Sequence, residues 1–276
     1  MIENINPNLF KKPTETNIEK LENLNNFLKT LSEKFQKENL PVKENCRIDQ
    51  EKYSEIFKKE EIIKDKEKVL TLEEQWFQER DETKIEEKKI KKAGEQLEMI
   101  KTAILNKFLY EKFYVVRASL YDDIFNKVDN VILNKNTGEI ICAFDEVEDI
   151  KGEKFKEKKE KVLLRNQRGV ALKYGLKLEN NQIKLTSIEN LPIFYIALPN
   201  EYLEKAINNF EPEFEKKSEC EKMFFNFFLS LVDKEIKEIY RRKIEIDPIV
   251  LDKIENFQKN LKKLKTNKEK SSHLGT

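Results

Sequence analysis

Leu21, Leu24, Leu28, Leu31 and Phe35 recur at spacings of three and four, which predicts an amphipathic helix with one apolar stripe, ending before Pro41. Thr16-Asn17-Ile18-Glu19 reads as the capping box that opens it. A second helical stretch carries Tyr53, Ile56, Phe57, Ile62 and Ile63. Thr71-Leu72-Glu73-Glu74 then reads as another capping box, opening a long helix to about Glu111 with Ile90, Ala93, Leu97, Ile100, Ile104 and Phe108 as its buried stripe. The run from Asp81 to Lys92 is almost all Lys and Glu and reads as a solvated face laced with i,i+4 pairs.

The period changes at Phe113. Phe113 to Arg117, Val128 to Leu133 and Ile140 to Phe144 are rich in β-branched and aromatic residues, with Gly, Asn and Asp between them, and predict three strands. A Lys-rich helix follows from about Gly152 to Arg168, then short strands at Val170 to Leu176 and Ile183 to Leu185, and an apolar strand at Pro192 to Leu198. Asn200 caps a short helix. Phe214, Met223, Phe224, Phe227, Phe228, Leu231, Val232, Ile236 and Ile239 predict a helix buried on more than one side. Asp247-Pro248 opens a last helix with Val250, Ile254, Phe257, Leu261 and Leu264 as its stripe, expected to pair with an N-terminal helix. The order predicts an α/β (α+β) fold, a mixed central sheet with flanking helices. It divides the chain into a helical N-terminal extension (1–90), an α/β core (91–211) and C-terminal helices packing on that core (212–276).

Of 276 residues, 38% are hydrophobic and 38% charged, and 53 basic residues face 52 acidic ones, so any nucleic-acid surface must be local. Cys46, Cys142 and Cys220 are odd in number and far apart, which argues for a reducing compartment, the cytoplasm by default. The single histidine, His273, removes His-dependent triads, HExxH helices and Cys/His zinc sites. Six glycines form neither GxGxxG nor a P-loop. No apolar run matches a signal peptide or membrane span, so a soluble chain with no membrane partner is expected. Heptad spacing at 21–35, 90–104 and 250–264 permits self-association through amphipathic helices.

Chemistry is densest in the hairpin between Tyr121 and Asp149. Asn136 to Gly138 suits a three-residue loop whose last glycine is left-handed. That turn pairs Lys135 with Glu139 and sets Leu133 opposite Ile141, Val131 opposite Ala143 and Asp129 opposite Asp145. The two aspartate Cβ atoms would then lie about 5 Å apart on one face, with Glu146 on the other. Opposed carboxylates need a divalent cation, a basic side chain or a proton, and a hard cation such as Mg²⁺ or Mn²⁺ matches an all-oxygen set. Asp122 and Asp123, in the loop entering the strand, can add oxygens. From Phe113 to Ile150 there are eight acidic residues against three basic, and from Lys151 to Lys177 ten basic against three acidic. An acidic cluster beside a basic surface suits metal-assisted work on a phosphodiester backbone, DNA or RNA.

The order helix, strands carrying Asp129 and Asp145, basic helix and further strand resembles the αβββαβ core of the PD-(D/E)XK nuclease superfamily, the restriction-endonuclease-like fold, over about residues 95–200. The resemblance implies a metal-dependent hydrolase in which Asp129 and Asp145 hold Mg²⁺ or Mn²⁺, to which Asp123 from the entering loop is added as a further ligand, and a lysine steadies the attacking hydroxide. Asp145-Glu146-Val147 stands where (D/E)-X-K is expected, so Val147 occupies the lysine position. Lys154 is the favoured substitute. Lys127, Lys151 and Lys158 are alternatives, and Glu111 or Glu98 is a supporting acid from the preceding helix. The missing lysine equally allows a non-catalytic nuclease-like core serving as a nucleic-acid-binding or protein-interaction scaffold.

Overall fold

The computed structural model describes residues 18–147, 153–242 and 245–272, the side chains of Lys154 and 262–272 excepted. Thr16 and Asn17 of the first capping box therefore lie outside the described residues. Helix α1 (Ile18–Lys37) buries Leu24, Leu28, Leu31 and Phe35 of the stripe its periodicity predicts, leaves Leu21 half-buried and adds Phe27. Two short 3-10 turns follow, at Glu44–Cys46 and Gln50–Glu55. Tyr53 belongs to the second turn, not to a helix, and its buried hydroxyl donates to the Gly175 carbonyl at 2.8 Å.

The long helix expected from Thr71 is three helices. Helix α2 (Lys59–Phe77) runs straight through Thr71–Glu74, where the Thr71 hydroxyl donates back to the Glu67 carbonyl at 2.8 Å. An N-cap needs unpaired N–H groups, and inside a helix these already meet carbonyls one turn earlier. Gln78, at φ 49°, turns the chain out of α2. The Asp81 carboxylate accepts from the backbone N–H of Thr83 at 3.0 Å and of Lys84 at 3.4 Å, opening α3 (Glu82–Ile90). Helix α4 (Ala93–Leu109) comes next and is buried on nearly every side, carrying Glu98, Lys101, Thr102, Asn106 and Lys107 into the interior with its apolar stripe.

The sheet is built from β1 (Phe113–Arg117), β2 (Asn130–Asn134), β3 (Ile140–Val147) and β6 (Ile193–Ala197), in the order β1-β2-β3-β6. The first three strands run antiparallel and β6 lies parallel to β3. The segment between β1 and β2 is a helix, α5 (Leu120–Asn126), capped by the Ser119 hydroxyl, not the loop expected there. Gly138 is left-handed at φ 74°, as the turn requires. A bulge between Ile132 and Leu133 nevertheless pairs Leu133 with Ile140 instead of Ile141, and Asn134, not Lys135, meets Glu139. Beyond the bulge Val131 faces Ala143 as expected and Asn130 faces Phe144.

Between β3 and β6 lie α6 (Glu153–Arg165) and a ribbon of β4 (Val170–Glu179) and β5 (Gln182–Leu191), longer than the short strands the sequence predicts. Asn180 and Asn181, at φ 52° and 59°, make its two-residue turn. The ribbon docks on the β2–β3 turn, where the Gly138 carbonyl accepts from the Leu178 N–H at 2.7 Å. After α7 (Asn200–Asn208), Ser218 and Glu221 form a reciprocal capping box for α8 (Glu219–Arg241). Helix α9 (Pro248–Ser272) packs on β3, β5 and α8 instead of an N-terminal helix, with Phe257 stacked on Phe194 of β6 at 5.5 Å. One buried apolar cluster runs from Leu24 to Leu261. Among the described residues no helix is long and apolar enough to cross a membrane.

Candidate metal centre

Strand β2 begins at Asn130, one residue after Asp129, while β3 continues to Val147. The last N–H groups on that edge of β3 thus lose their strand partner. The Asp129 side chain replaces it: its Oδ2 accepts from the Glu146 N–H at 2.5 Å, while its own N–H donates to the Phe144 carbonyl at 2.8 Å. Ladder pairing so holds this carboxylate at the sheet's end, where α4 and α5 bring side chains to it.

Three acids meet there. One carboxylate oxygen from each of Glu98 (α4), Asp123 (α5) and Asp129 lies within 4.8 Å of the other two, with Glu98 and Asp129 buried and Asp123 half-buried. Three oxygens at that separation could hold one hard divalent cation. Two arginines already press on the cluster. Arg47 donates to Asp123 Oδ2 at 2.9 Å and to Glu98 Oε2 at 3.2 Å. Arg117 of β1, wholly buried, donates to Glu98 Oε2 at 2.6 Å and pairs with Glu95 Oε1 at 2.7 Å.

Around them, Lys101 of α4 pairs with Glu146, and Asp145 pairs with Lys158 of α6 at 2.8 Å and more loosely with Arg165 at 3.7 Å. Six carboxylates therefore share a small volume with five cations. The imbalance falls on Asp129. Burial, then the neighbouring Asp123, Glu98 and Asp145 charges, hold its carboxyl well above the ordinary range, with Lys101 opposing. Burial also raises Glu98. Glu95 is drawn down to about 2, because Arg117 and Arg47 outweigh the effect of its burial. Burial pulls the Lys101 ammonium down to about 7 against the pull of Asp129 and Glu98. A surplus of buried negative charge that relaxes by protonation at one carboxylate is the electrostatic state a cation would relieve.

The expected residues divide as follows. Asp129 and Asp123 converge, and Glu98 joins them from the helix before the core. Asp145 is beside Asp129 along the ladder, but its carboxylate is taken by Lys158 and Arg165. Glu146 lies on the opposite face from Asp145, as alternation requires, and that face carries Lys101 and Phe144. Asp122 is not available as a ligand. It is wholly buried and fully used, accepting from Ser119 Oγ at 2.7 Å, Asn126 Nδ2 at 2.6 Å and the N–H groups of Lys173 at 2.7 Å and Tyr174 at 3.0 Å. That role ties α5 to β4. Lys127 is exposed and left-handed at φ 52°, ending α5. Glu111 is exposed beyond the end of α4, next to the β1 end that faces the hairpin turn, whereas the acidic cluster sits at the Arg117 end. Lys151 and the Lys154 side chain lie outside the described residues.

Lys101, Glu95, Arg117 and Arg47 escape sequence reading. A signal existed for one of them: Lys101 stands three residues after Glu98 amid Met99, Ile100, Ala103 and Ile104, a charge where a buried stripe wants none. Arg47 arrives from a turn 71 residues before Ala118, whose carbonyl it also meets at 3.2 Å, and no local pattern marks it. The chain matches no protein-family model, no curated protein and no solved structure.

Proposed function

We propose that this protein is a metal-dependent phosphodiesterase acting on nucleic acid through a PD-(D/E)XK-like core. The observation that carries the reading is the convergence of Glu98, Asp123 and Asp129 within 4.8 Å at the end of a sheet whose elements run α4, β1, β2, β3, α6 and β6, with α5 inserted after β1 and the β4–β5 ribbon after α6. In this reading the three acids hold Mg²⁺ or Mn²⁺. A cation held there would supply Lewis-acid chemistry, polarising a phosphoryl oxygen and activating water. Lys101 supplies the positive charge that Val147 cannot, reaching the site from α4 instead of from β3. Lys158 and Arg165 hold Asp145 and offer cationic contact for the leaving strand. Asp129→Asn should abolish Mg²⁺- or Mn²⁺-dependent cleavage of labelled DNA and RNA while leaving the fold intact by circular dichroism. Cleavage at the wild-type rate in that variant would sink the reading.

A non-catalytic nuclease-like scaffold is favoured by one specific feature, the Arg47 guanidinium lodged between Asp123 and Glu98. A guanidinium already compensates part of the charge a metal would. Calorimetric titration separates the two readings: Mn²⁺ binding lost on Asp129→Asn supports the enzyme, and no Mn²⁺ binding by the wild type supports the scaffold.

A further inference from the structure

Of the cations around the acidic centre, among the described residues, Arg47 alone bonds two of the three converging acids, donating to Asp123 Oδ2 at 2.9 Å and to Glu98 Oε2 at 3.2 Å. Its neighbour Arg117 is locked in place. Wholly buried, Arg117 sets its Nε and a terminal nitrogen on Glu98 Oε2 at 3.1 and 2.6 Å, and the same terminal nitrogen pairs with Glu95 Oε1 at 2.7 Å. The Arg47 side chain keeps 12% of its surface exposed and borders a cavity of about 360 Å³, walled in part by Leu70 of α2 and Leu120 of α5. Its backbone is held without help from the guanidinium. The Arg47 carbonyl accepts from the Lys43 N–H at 2.8 Å, the Cys46 N–H donates to Ser32 Oγ at 2.8 Å, and the Ile48 N–H donates to the Arg117 carbonyl at 2.9 Å. The side chain can therefore move while the turn that carries it stays.

Charge balance says when it moves. Six carboxylates against five cations leave one negative charge in excess around the centre. A divalent cation taken by Glu98, Asp123 and Asp129 turns that into one positive charge in excess, among buried groups where like charges are poorly screened. Releasing one side-chain cation restores the balance, and Arg47 is the one that both bonds the acids concerned and has space beside it. That space can receive a guanidinium. The cavity's lysines, Lys43 and Lys66, are engaged by Glu51 at 3.4 and 2.5 Å, and its Glu73 by Lys89 at 2.9 Å. Glu67 and Glu82, both exposed in the wall, enter no ion pair among the described residues.

We propose that Arg47 is the resident counter-ion of the cation site: its guanidinium holds Asp123 and Glu98 until a divalent cation binds there, and then swings into the cavity beside α2. The proposal rests on the reading of the three acids as a cation site and names what regulates that site. It is tested on the full chain by calorimetric titration with MnCl₂. Arg47→Met, which keeps a long side chain without its charge, should bind Mn²⁺ at least about tenfold more tightly than the wild type. Leu70→Trp, which fills the cavity, should weaken Mn²⁺ binding about tenfold in the wild type and leave the affinity of Arg47→Met unchanged. The wild type's guanidinium NMR signals give the same answer should Arg47→Met not fold. On titration with Mg²⁺ the Arg47 signal, assigned through Arg47→Lys, should move to that of a solvent-exposed arginine while the Arg117 signal stays. Unchanged or weaker Mn²⁺ affinity in a folded Arg47→Met variant, an equal effect of Leu70→Trp in both backgrounds, or an Arg47 signal unmoved at Mg²⁺ saturation would each overturn the proposal. Mn²⁺ binding tightened by Arg47→Met without any cleavage of DNA or RNA would sink the nuclease reading and leave the role of Arg47 standing. Mn²⁺-dependent cleavage by a protein whose Mn²⁺ affinity ignores Arg47 and Leu70 would do the reverse, and Mn²⁺ binding by neither the wild type nor Arg47→Met would overturn both.

Discussion

Replacing Asp129 by Asn and by Ala separates the two roles the structure gives this side chain. As a hydrogen-bond acceptor it completes the end of β3 by taking the Glu146 N–H at 2.5 Å. As an acid it is buried among other carboxylates that hold its pKa well above the ordinary 3.8. Neither variant titrates, so the difference between them isolates the hydrogen bond. Asn keeps an oxygen for the Glu146 N–H and turns its NH₂ toward Glu98 and Asp123. Ala leaves a buried N–H unmatched, which costs about 1–3 kcal/mol. Asn should therefore be more stable than Ala by that amount at every pH. The wild type behaves differently. Above pH 3.8 the unfolded chain ionises this group while the folded chain keeps it protonated, so the folded state binds more protons. Its stabilising share is present at acid pH and is lost as pH rises, at about 1.4 kcal/mol per pH unit until the raised folded value is passed. The Asn variant escapes that loss, so it should overtake the wild type as pH increases. Urea denaturation followed by circular dichroism in metal-free buffer from pH 5 to 8 measures both gaps. Equal stability of the Asn and Ala variants would show that Asp129 does not close the β3 ladder, and the geometry of the acidic cluster would fall with it.

Two further outcomes test the frame around the site. Glu235 of α8 is buried, gives one oxygen to the Tyr195 N–H of β6 at 3.0 Å and leaves the other unpartnered, and burial holds its carboxyl well above 4.5. The sign is the same as for Asp129, so Glu235→Gln should gain on the wild type as pH rises above 4.5, and thermal melts at pH 5 and pH 8 showing no change in the difference would refute it. Gly138→Ala should destabilise by about 2 kcal/mol or more, because its φ is +74° and a Cβ there would sit 1.7 Å from the Leu178 carbonyl oxygen. A urea midpoint unchanged from the wild type would show that the hairpin turn does not bear on β4.

Periodicity alone placed α1, the three antiparallel strands, α6, α8 and α9, because each has a stripe or alternation that burial imposes within its own length. The left-handed glycine at 138 was legible for the same reason: a short turn needs it locally. The break of the charged helix at Gln78 was not, since no Gly or Pro marks it. The register beyond the turn was half legible. The bulge at Ile132–Leu133 depends on how β2 packs, yet Val131 still meets Ala143, which brings Asp129 to the end of the ladder. Asp129 and Asp123 could be named from acidic density. Glu98 could be named only as one of two acids, with Glu111, that the resemblance offers from the preceding helix, and the choice between them waits until α4 is sandwiched in the interior; Lys101 carried only the signal of a charge amid a buried stripe, and Arg47 comes from a turn held by long-range contacts. The residues that could bind a cation are set by the sequence's acids. Which of them share an oxygen cage, and which are spent on Lys158, Arg165 or the α5 cap, depends on strand ends and helix docking, which only the tertiary structure decides.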